Sequence, residues 1–383
     1  MVLFAVTMGL LAGCSHAAAR GPQPGAPGIS AWPQAGFDAS HSSGTSALGP
    51  QTKHIKWTAN LTGNITPGPV LSVDGYVLQA TNAGIIYALN PKNGHQVWHF
   101  DGGSPYGQDL STSPAVLSDG TILWPGPSAT LYALSRSGVL LWKEQFGRSQ
   151  LLSPAVTATG QIYIADLGGM LRSIRVSGAG AEVAWSLPVG GSDYASPVVG
   201  PDGTIYTASN QDLVAVHDLG SSAAEKWRFH TQKLIEVSNA VAPDGTVIVG
   251  TNNDREYGVR PDGTQAWELT LGEFTYSSAV VRPNGVAYFG DNNGRTWSVD
   301  AATGAVHYSS LPAKGAIWTA LAVDRAGDAY YGTFTGHIYG YGPTGKQLFD
   351  LATGTLIDSY PAIGGDGTLY LGTTTGKLYA IGT

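Results

Sequence analysis

The chain has 383 residues, of which only 12% are charged, with a net charge of −7 and a single cysteine. So sparse and acidic a charge, with no basic stripe, argues against a nucleic-acid-binding protein. One cysteine leaves no intrachain disulfide and no multi-thiolate metal site, so stability must come from packing.

In chain order, the first element is the apolar leader MVLFAVTMGLLAGCSH, too short to span a bilayer as a helix. Small residues precede Cys14, and Leu11-Ala12-Gly13-Cys14 has the shape of a bacterial lipobox. Residues 1–14 therefore read as a lipoprotein signal peptide, with Cys14 as the acylated residue and acyl chains as the only membrane anchor. No Lys or Arg precedes Cys14, which leaves open a plain leader cleaved elsewhere. Residues 15–31 include GPQPGAPG, a Pro/Gly-rich linker that cannot form helix or sheet. Residues 32–383 follow as one domain, with no apolar run of transmembrane length.

That domain is periodic. Turn glycines recur at Gly75, Gly120, Gly160, Gly203, Gly245, Gly285, Gly327 and Gly367, spaced 40 to 45 residues apart. Five follow Asp and one follows Asn, the pairs that supply the positive φ a tight hairpin needs; Thr159-Gly160 and Ala326-Gly327 are the exceptions. An alternating segment such as SPAV (153–156), SPVV (196–199), SNAV (238–241) or SSAV (277–280) precedes the turn. A second strand such as TVIVG follows, then a third such as TLYALS, then a fourth that usually carries tryptophan. Four short strands in about 42 residues, with no helical period, describe a propeller blade.

Fourth-strand aromatics set the blade count. Trp98, Trp142, Trp185, Trp227, Trp267, Tyr308 and Phe349 stand 22 to 25 residues after their glycines, whereas only sixteen residues follow Gly367. The strand missing from the last repeat is expected from residues 55–61, IKWTANL, which carry Trp57 in a matching context. The fold is read as all-β, an eight-bladed propeller of four-stranded antiparallel blades closed by its N-terminal strand, which removes open sheet edges. Placed once per blade, the tryptophans read as inter-blade packing and not as ligand platforms.

The repeat SPAV-x-x-DGTIY-x-G-x-x-G-x-LYAL-x-x-x-G-x-x-x-W resembles the quinoprotein-like, or pyrroloquinoline-quinone-like, β-propeller repeat. The segment WPQAGFDASHSSG (32–44) is similar to an opening segment common in that superfamily. In layout the chain is similar to the propeller lipoprotein of the outer-membrane β-barrel assembly machinery. That likeness implies a monomeric, exported, membrane-tethered scaffold facing the periplasm or cell exterior, binding envelope proteins or peptides, or glycans. The superfamily also implies an alternative, a pyrroloquinoline-quinone-dependent dehydrogenase of alcohols or sugars. Its quinone would sit beside Ca²⁺ held by carboxylate and amide oxygens, with an Asp as base. No segment matches that ligand set and no Cys-Cys pair is present, so no catalytic residue, metal or cofactor is expected.

Function is then sought where blades differ. Loops entering each inner strand and loops joining second to third strands gather on one face around the channel. They carry Tyr106, Asp109, Asp166, Asp193, Tyr194, Glu236, Asp254, Phe274, Tyr276, Asp291, Trp318, Phe334, Asp358 and Tyr360, with few cations, chiefly Lys233, Arg255 and Lys314. An aromatic and acidic mouth suits a peptide, a sugar or a cation, because aromatics supply rigid contact area and carboxylates orient polar or positive groups. Asn252-Asn253-Asp254 and Asp291-Asn292-Asn293 occupy the same loop in adjacent blades and read as turns, with Ca²⁺ ligation the alternative.

Overall fold

The computed structural model describes residues 32–42, 45–103, 112–177, 180–191 and 194–383. Cys14, the leader and the linker lie outside the described residues. Thirty-two strands assemble into eight four-stranded antiparallel sheets, and no helix occurs among the described residues. The chain is an all-β, eight-bladed propeller.

Each blade begins with an inner strand of two residues, such as Val70–Leu71 or Ala115–Val116, buried throughout except at Val156 in the third blade, which is partly so. The turn glycine after it has positive φ in every blade, including Gly160 (84°) and Gly327 (90°), which lack a preceding Asp or Asn. A capping side chain earlier in the turn replaces the missing acid there. Thr157 Oγ1 accepts from Gln161 N at 3.0 Å, and Asp324 Oδ1 accepts from Ala326 N and Asp328 N at 2.8 and 2.9 Å. In the sixth blade the inner strand is Val280–Val281, one residue later than SSAV suggests, so Ser278 and not Ser277 matches Ser238.

Ile55–Asn60 completes the eighth blade. It pairs antiparallel with Lys377–Ile381, in the register Trp57 to Ala380 and Thr58 to Tyr379. The outer-strand aromatics then lock blade to blade. Trp57 Nε1 donates to the Pro91 carbonyl at 2.7 Å, Trp98 to Arg136 at 3.0 Å, Trp227 to Pro261 at 2.8 Å and Trp267 to Ala301 at 2.8 Å, each in the next blade's turn between third and fourth strands. Trp185 reaches the Asp218 carboxylate of the corresponding turn at 2.8 Å. Glycine in that turn makes room for the ring: a Cβ on Gly94 would stand 2.5 Å from Trp57, and one on Gly138 2.5 Å from Trp98. Phe349 departs from the pattern. In the eighth blade the third strand, Lys377–Ile381, and the fourth, Ile55–Asn60, are not joined by a hairpin, so an indole N–H there would meet no such turn carbonyl. Phe349 packs on Tyr330 with centroids 6.2 Å apart, as Trp57 packs on Tyr370 at 5.8 Å.

Residues 32–42 and 45–51 lie along the base of the ring as an arm, at the turn-glycine end of the inner strands. Leu71 N donates to Trp32 O (2.8 Å), Val116 N to Pro33 O (2.7 Å), Val199 N to Ala39 O (2.6 Å), Val241 N to Ser40 O (3.0 Å) and Val281 N to His41 O (3.2 Å). In the third blade the Gln34 amide makes both bonds to Val156, each 2.8 Å. Gly49 N donates to Asp324 and Gln51 Nε2 to Asp328 in the seventh blade, at 2.8 and 2.7 Å. Asp38 shapes the bend, accepting from Ser40 N and Ser42 N at 3.0 Å each. His41 is fully enclosed; burial lowers its pKa to about 4 against the opposing pull of Asp38, so it is neutral at pH 7.

Closure by Trp57 is open to a direct check by urea unfolding. Trp57→Phe keeps the ring and loses the bond to Pro91, an expected loss of about 0.5–1.5 kcal/mol. Trp57→Ala also empties the site, for about 3–5 kcal/mol. An unchanged unfolding midpoint in the alanine variant would mean the strand is not needed to close the ring.

Candidate functional site

The mouth lies at the opposite end of the inner strands from the arm. Nine residues before each turn glycine stand Thr66, Ser111, Leu151, Tyr194, Glu236, Tyr276, Trp318 and Asp358, one per blade. Ser111 lies outside the described residues. In the first, fifth, sixth, seventh and eighth blades this residue is partly exposed between two buried neighbours, as with Glu236 between Ile235 and Val237 or Trp318 between Ile317 and Thr319. Backbone geometry fixed by buried flanks thus presents one variable side chain per blade to the mouth. Leu151 is the exception, buried and bridged to Asp166.

Two residues deeper, Gly68, Ser113, Ser153, Ser196, Ser238, Ser278, Ala320 and Tyr360 form a second ring. Serines link neighbouring blades there: Ser113 N donates to Ser153 Oγ, Ser196 N to Ser238 Oγ and Ser238 N to Ser278 Oγ, at 3.0, 3.0 and 3.1 Å. Tyr360 reaches past the seventh blade, its hydroxyl 3.0 Å from Ser278 Oγ. Gly68 leaves room for it, since a Cβ there would lie 2.8 Å from Tyr360 Cβ. Tyr360 therefore occupies the channel beneath the mouth, and burial raises its phenol pKa.

Four of the expected mouth residues meet in one line. Phe274 and Tyr276 pack edge to face at 5.3 Å, Tyr276 and Trp318 edge to face at 5.2 Å, and Trp318 and Phe334 at 4.5 Å with planes tilted by 45°. Trp318 Nε1 donates to Asn292 Oδ1 at 2.7 Å, which pins the indole. Glu236 stands beside Tyr276: burial is the larger cause that raises the Tyr276 phenol pKa, followed by the Glu236 charge and the hydrogen bond to that carboxylate. Glu236 Oε2 is buried without a hydrogen-bond partner. Tyr194 and Asp358 belong to the same ring; Tyr194 is exposed and Asp358 partly so.

The other expected residues are placed differently. Asp109, Asp193 and Tyr106 lie outside the described residues. Asp166 is buried and used by its own turn, accepting from Met170 N at 3.1 Å and pairing with Arg172 at 2.7 Å. Asp291 is likewise buried, accepting from Arg295 N at 2.9 Å and Trp297 Nε1 at 2.8 Å. Asn253 Oδ1 accepts from Arg255 N at 3.1 Å, and Asp254 pairs with Arg255 at 3.3 Å. Those oxygens make turns, and among the described residues no group of three or more His, Cys, Asp or Glu is arranged to hold a metal ion. Of the cations, Lys233 is exposed, Arg255 pairs with Asp254 and with Glu268 at 3.0 Å, and Lys314 pairs with Asp350 at 3.3 Å.

With this geometry in view, the comparisons with known proteins agree on the architecture. A family model described as outer membrane protein assembly factor BamB matches residues 82–225. Over that stretch the chain is similar to a family of pyrroloquinoline-quinone-like β-propellers. It is 26% identical over 255 residues to the outer membrane protein assembly factor BamB of Moranella endobia, covering 60% of this chain and 63% of that protein, less than two thirds of its length. It is 25% identical to Protein Rv3035 of Mycobacterium tuberculosis over 91% of this chain and 95% of that protein. Quinohemoprotein alcohol dehydrogenase from Comamonas testosteroni superposes with a TM-score of 0.71 at 13% identity, over 92% of this chain and 81% of that one, a likeness of fold alone.

One residue near the mouth is absent from the sequence reading. Glu256 pairs with Gly250 at the end of the second strand, a third-strand position held by Ile86, Leu131, Leu171, Leu213, Ile338 and Leu378 in six other blades. It is fully buried, and neither carboxylate oxygen has a hydrogen-bond partner. Burial holds its pKa well above the ordinary 4.5. Reading the third strands column by column would have exposed it as the one acid in an apolar row.

The linkage has a definite sign. A raised folded pKa means that stability at this position is full below about pH 4.5, where the unfolded carboxyl is also protonated, and is lost as pH rises toward the folded value. Glu256→Leu is expected to stabilise the protein by about 1–3 kcal/mol near pH 4.5. The gain should grow by up to about 1.4 kcal/mol per pH unit above that. Urea unfolding of both forms at pH 4.5 and pH 8 measures it; a difference that does not change with pH would rule out a neutral buried Glu256.

Proposed function

We propose that this protein is an exported, monomeric binding scaffold, tethered to the cell envelope through Cys14, that holds a partner at the mouth of its propeller. The observation that carries the reading is the continuous line Phe274, Tyr276, Trp318 and Phe334 with Glu236 beside Tyr276. Large aromatic surface at a preformed concave face is what macromolecular recognition uses. The likeness to proteins named as outer membrane assembly factors supports a protein partner in the envelope, with glycans as the second class.

The arm supports the tethered arrangement. Trp32, where the described chain begins, lies on the base, so a tether joined to residue 32 attaches opposite the mouth and leaves the mouth toward partners.

Quinone-dependent oxidation fits these residues poorly. Pyrroloquinoline quinone carries three carboxylates, and the mouth ring offers Glu236 and Asp358 but no Lys or Arg among its described members. Tyr360 also fills the channel below, where a flat cofactor would need room. No cofactor or catalytic residue is assigned, and Asp166 and Asp291 are left out of the binding set because their carboxylates serve their turns.

Two measurements test this. Envelope partners captured on the immobilised protein should fall at least tenfold with the Tyr276→Ala, Trp318→Ala double variant, at an unfolding midpoint close to the parent's; undiminished capture by the folded variant would remove the mouth from the reading. Cys14→Ala should move the protein from the membrane fraction to the soluble fraction, and a variant that stays on the membrane would overturn the lipid tether.

A further inference from the structure

Resting on the mouth reading, we infer that the aromatic line and Glu236 form a receptor for a lysine or arginine side chain on an extended polypeptide segment. Four observations lead there. First, Glu236 Oε2 is buried without a hydrogen-bond partner beside Tyr276, whose hydroxyl bonds the same carboxylate, and a buried carboxylate oxygen without a donor of its own is costly unless a ligand supplies one. Second, the adjoining rings are Tyr276 and Trp318, whose electron-rich faces attract a cation, tryptophan most strongly.

Third, the rings do not lie flat. Phe274 to Tyr276 and Tyr276 to Trp318 are near-perpendicular pairs, at 77° and 70°, so edges and faces alternate along the line. A sugar ring stacks best on a flat shelf, whereas a long aliphatic stem with a charged tip can run across alternating edges and faces and cover apolar surface along its length. Phe334, 41% exposed at the far end, is placed to meet an apolar neighbour of that side chain. Fourth, several cations near the mouth are already matched: Arg255 pairs with Glu268 and Asp254, Arg172 with Asp166, and Lys314 with Asp350, while Lys233 is exposed. Asp358 adds a second carboxylate to the ring. The chain's net charge of −7 favours the approach of a basic segment.

The test uses the whole protein and three fluorescein-labelled dodecapeptides read by anisotropy: one with two Phe-Lys pairs, one with Glu in place of Lys, and one with Ala in place of Phe. The Phe-Lys peptide is expected to bind at least tenfold more tightly than the Phe-Glu peptide, with the Ala-Lys peptide between them. Glu236→Gln should narrow the Lys-over-Glu preference at least threefold while retaining binding, and Trp318→Ala should weaken the Phe-Lys peptide about tenfold. Both variants are checked for parental circular dichroism. Equal binding of the Lys and Glu peptides, a preference unmoved by Glu236→Gln, or binding of a neutral hexasaccharide in their place would overturn the inference. If those results come with partner capture still lost in the Tyr276, Trp318 double variant, only the cation class fails. If that variant captures normally, the mouth reading fails with it.

Discussion

Everything in this ring depends on one hydrogen-bonded pairing between its two ends, Ile55–Asn60 against Lys377–Ile381. A blade can bury both faces only between two neighbours, so an open chain of eight would expose two faces and a strand edge. Trp57 joins the two junctions that meet there: its strand completes the eighth blade, and its indole donates into the first at Pro91. The residues before it, 32–42, pass round the base and bind the inner strands of the first six blades in order. The strand Ile55–Asn60 cannot reach its final partner until Lys377–Ile381 exists. Such sequence-distant pairing makes folding slow relative to stability and places the completing step at the C-terminal end.

That constraint also explains where the repeat tolerates change. Outer-strand tryptophan is bonded to the next blade's turn at Trp57, Trp98, Trp185, Trp227 and Trp267, while Tyr308 faces such a turn at Gly345 without an indole, and Phe349 stands where the eighth blade's third and fourth strands are not joined by a hairpin. The mouth ring is under no such demand, because its side chains point away from the blade interfaces while buried neighbours hold the backbone. Diversity accordingly collects there: threonine, tyrosine, glutamate, tyrosine, tryptophan and aspartate at Thr66, Tyr194, Glu236, Tyr276, Trp318 and Asp358.

Blade number, strand count and closure were legible in the sequence because each depends on a residue repeated at fixed spacing, the turn glycine or the outer aromatic. Glu236, Phe274, Tyr276, Trp318 and Phe334 were legible as mouth residues because they fall in loops whose position follows from that spacing. Asp166 and Asp291 were not separable from them, since a carboxylate that caps its own turn and one that faces solvent stand at similar loop positions. Only their partners, Arg172 and Trp297 among them, tell the two apart. The arm was seen as a signature without a role, because its contacts are single backbone bonds to many blades and carry no period. Glu256 escaped notice because an isolated acid beside Arg255 looks like an exposed pair, whereas the register turns it inward.

The rigidity that closes the ring also bears on how the mouth works. Trp318 is held by its bond to Asn292, by ring contacts with Tyr276 and Phe334, and by buried flanks at Ile317 and Thr319. A side chain fixed in this way loses little conformational freedom when a ligand arrives, so more of the contact energy appears as affinity. Tyr360, bonded to Ser278 beneath it, limits how deep a ligand can go. A firm floor with variable walls favours ligands that lie across the mouth and engage several blades at once, and it disfavours small molecules that need a deep enclosed pocket. Selectivity then depends on the order of side chains around the rim, which can change without disturbing the closure beneath.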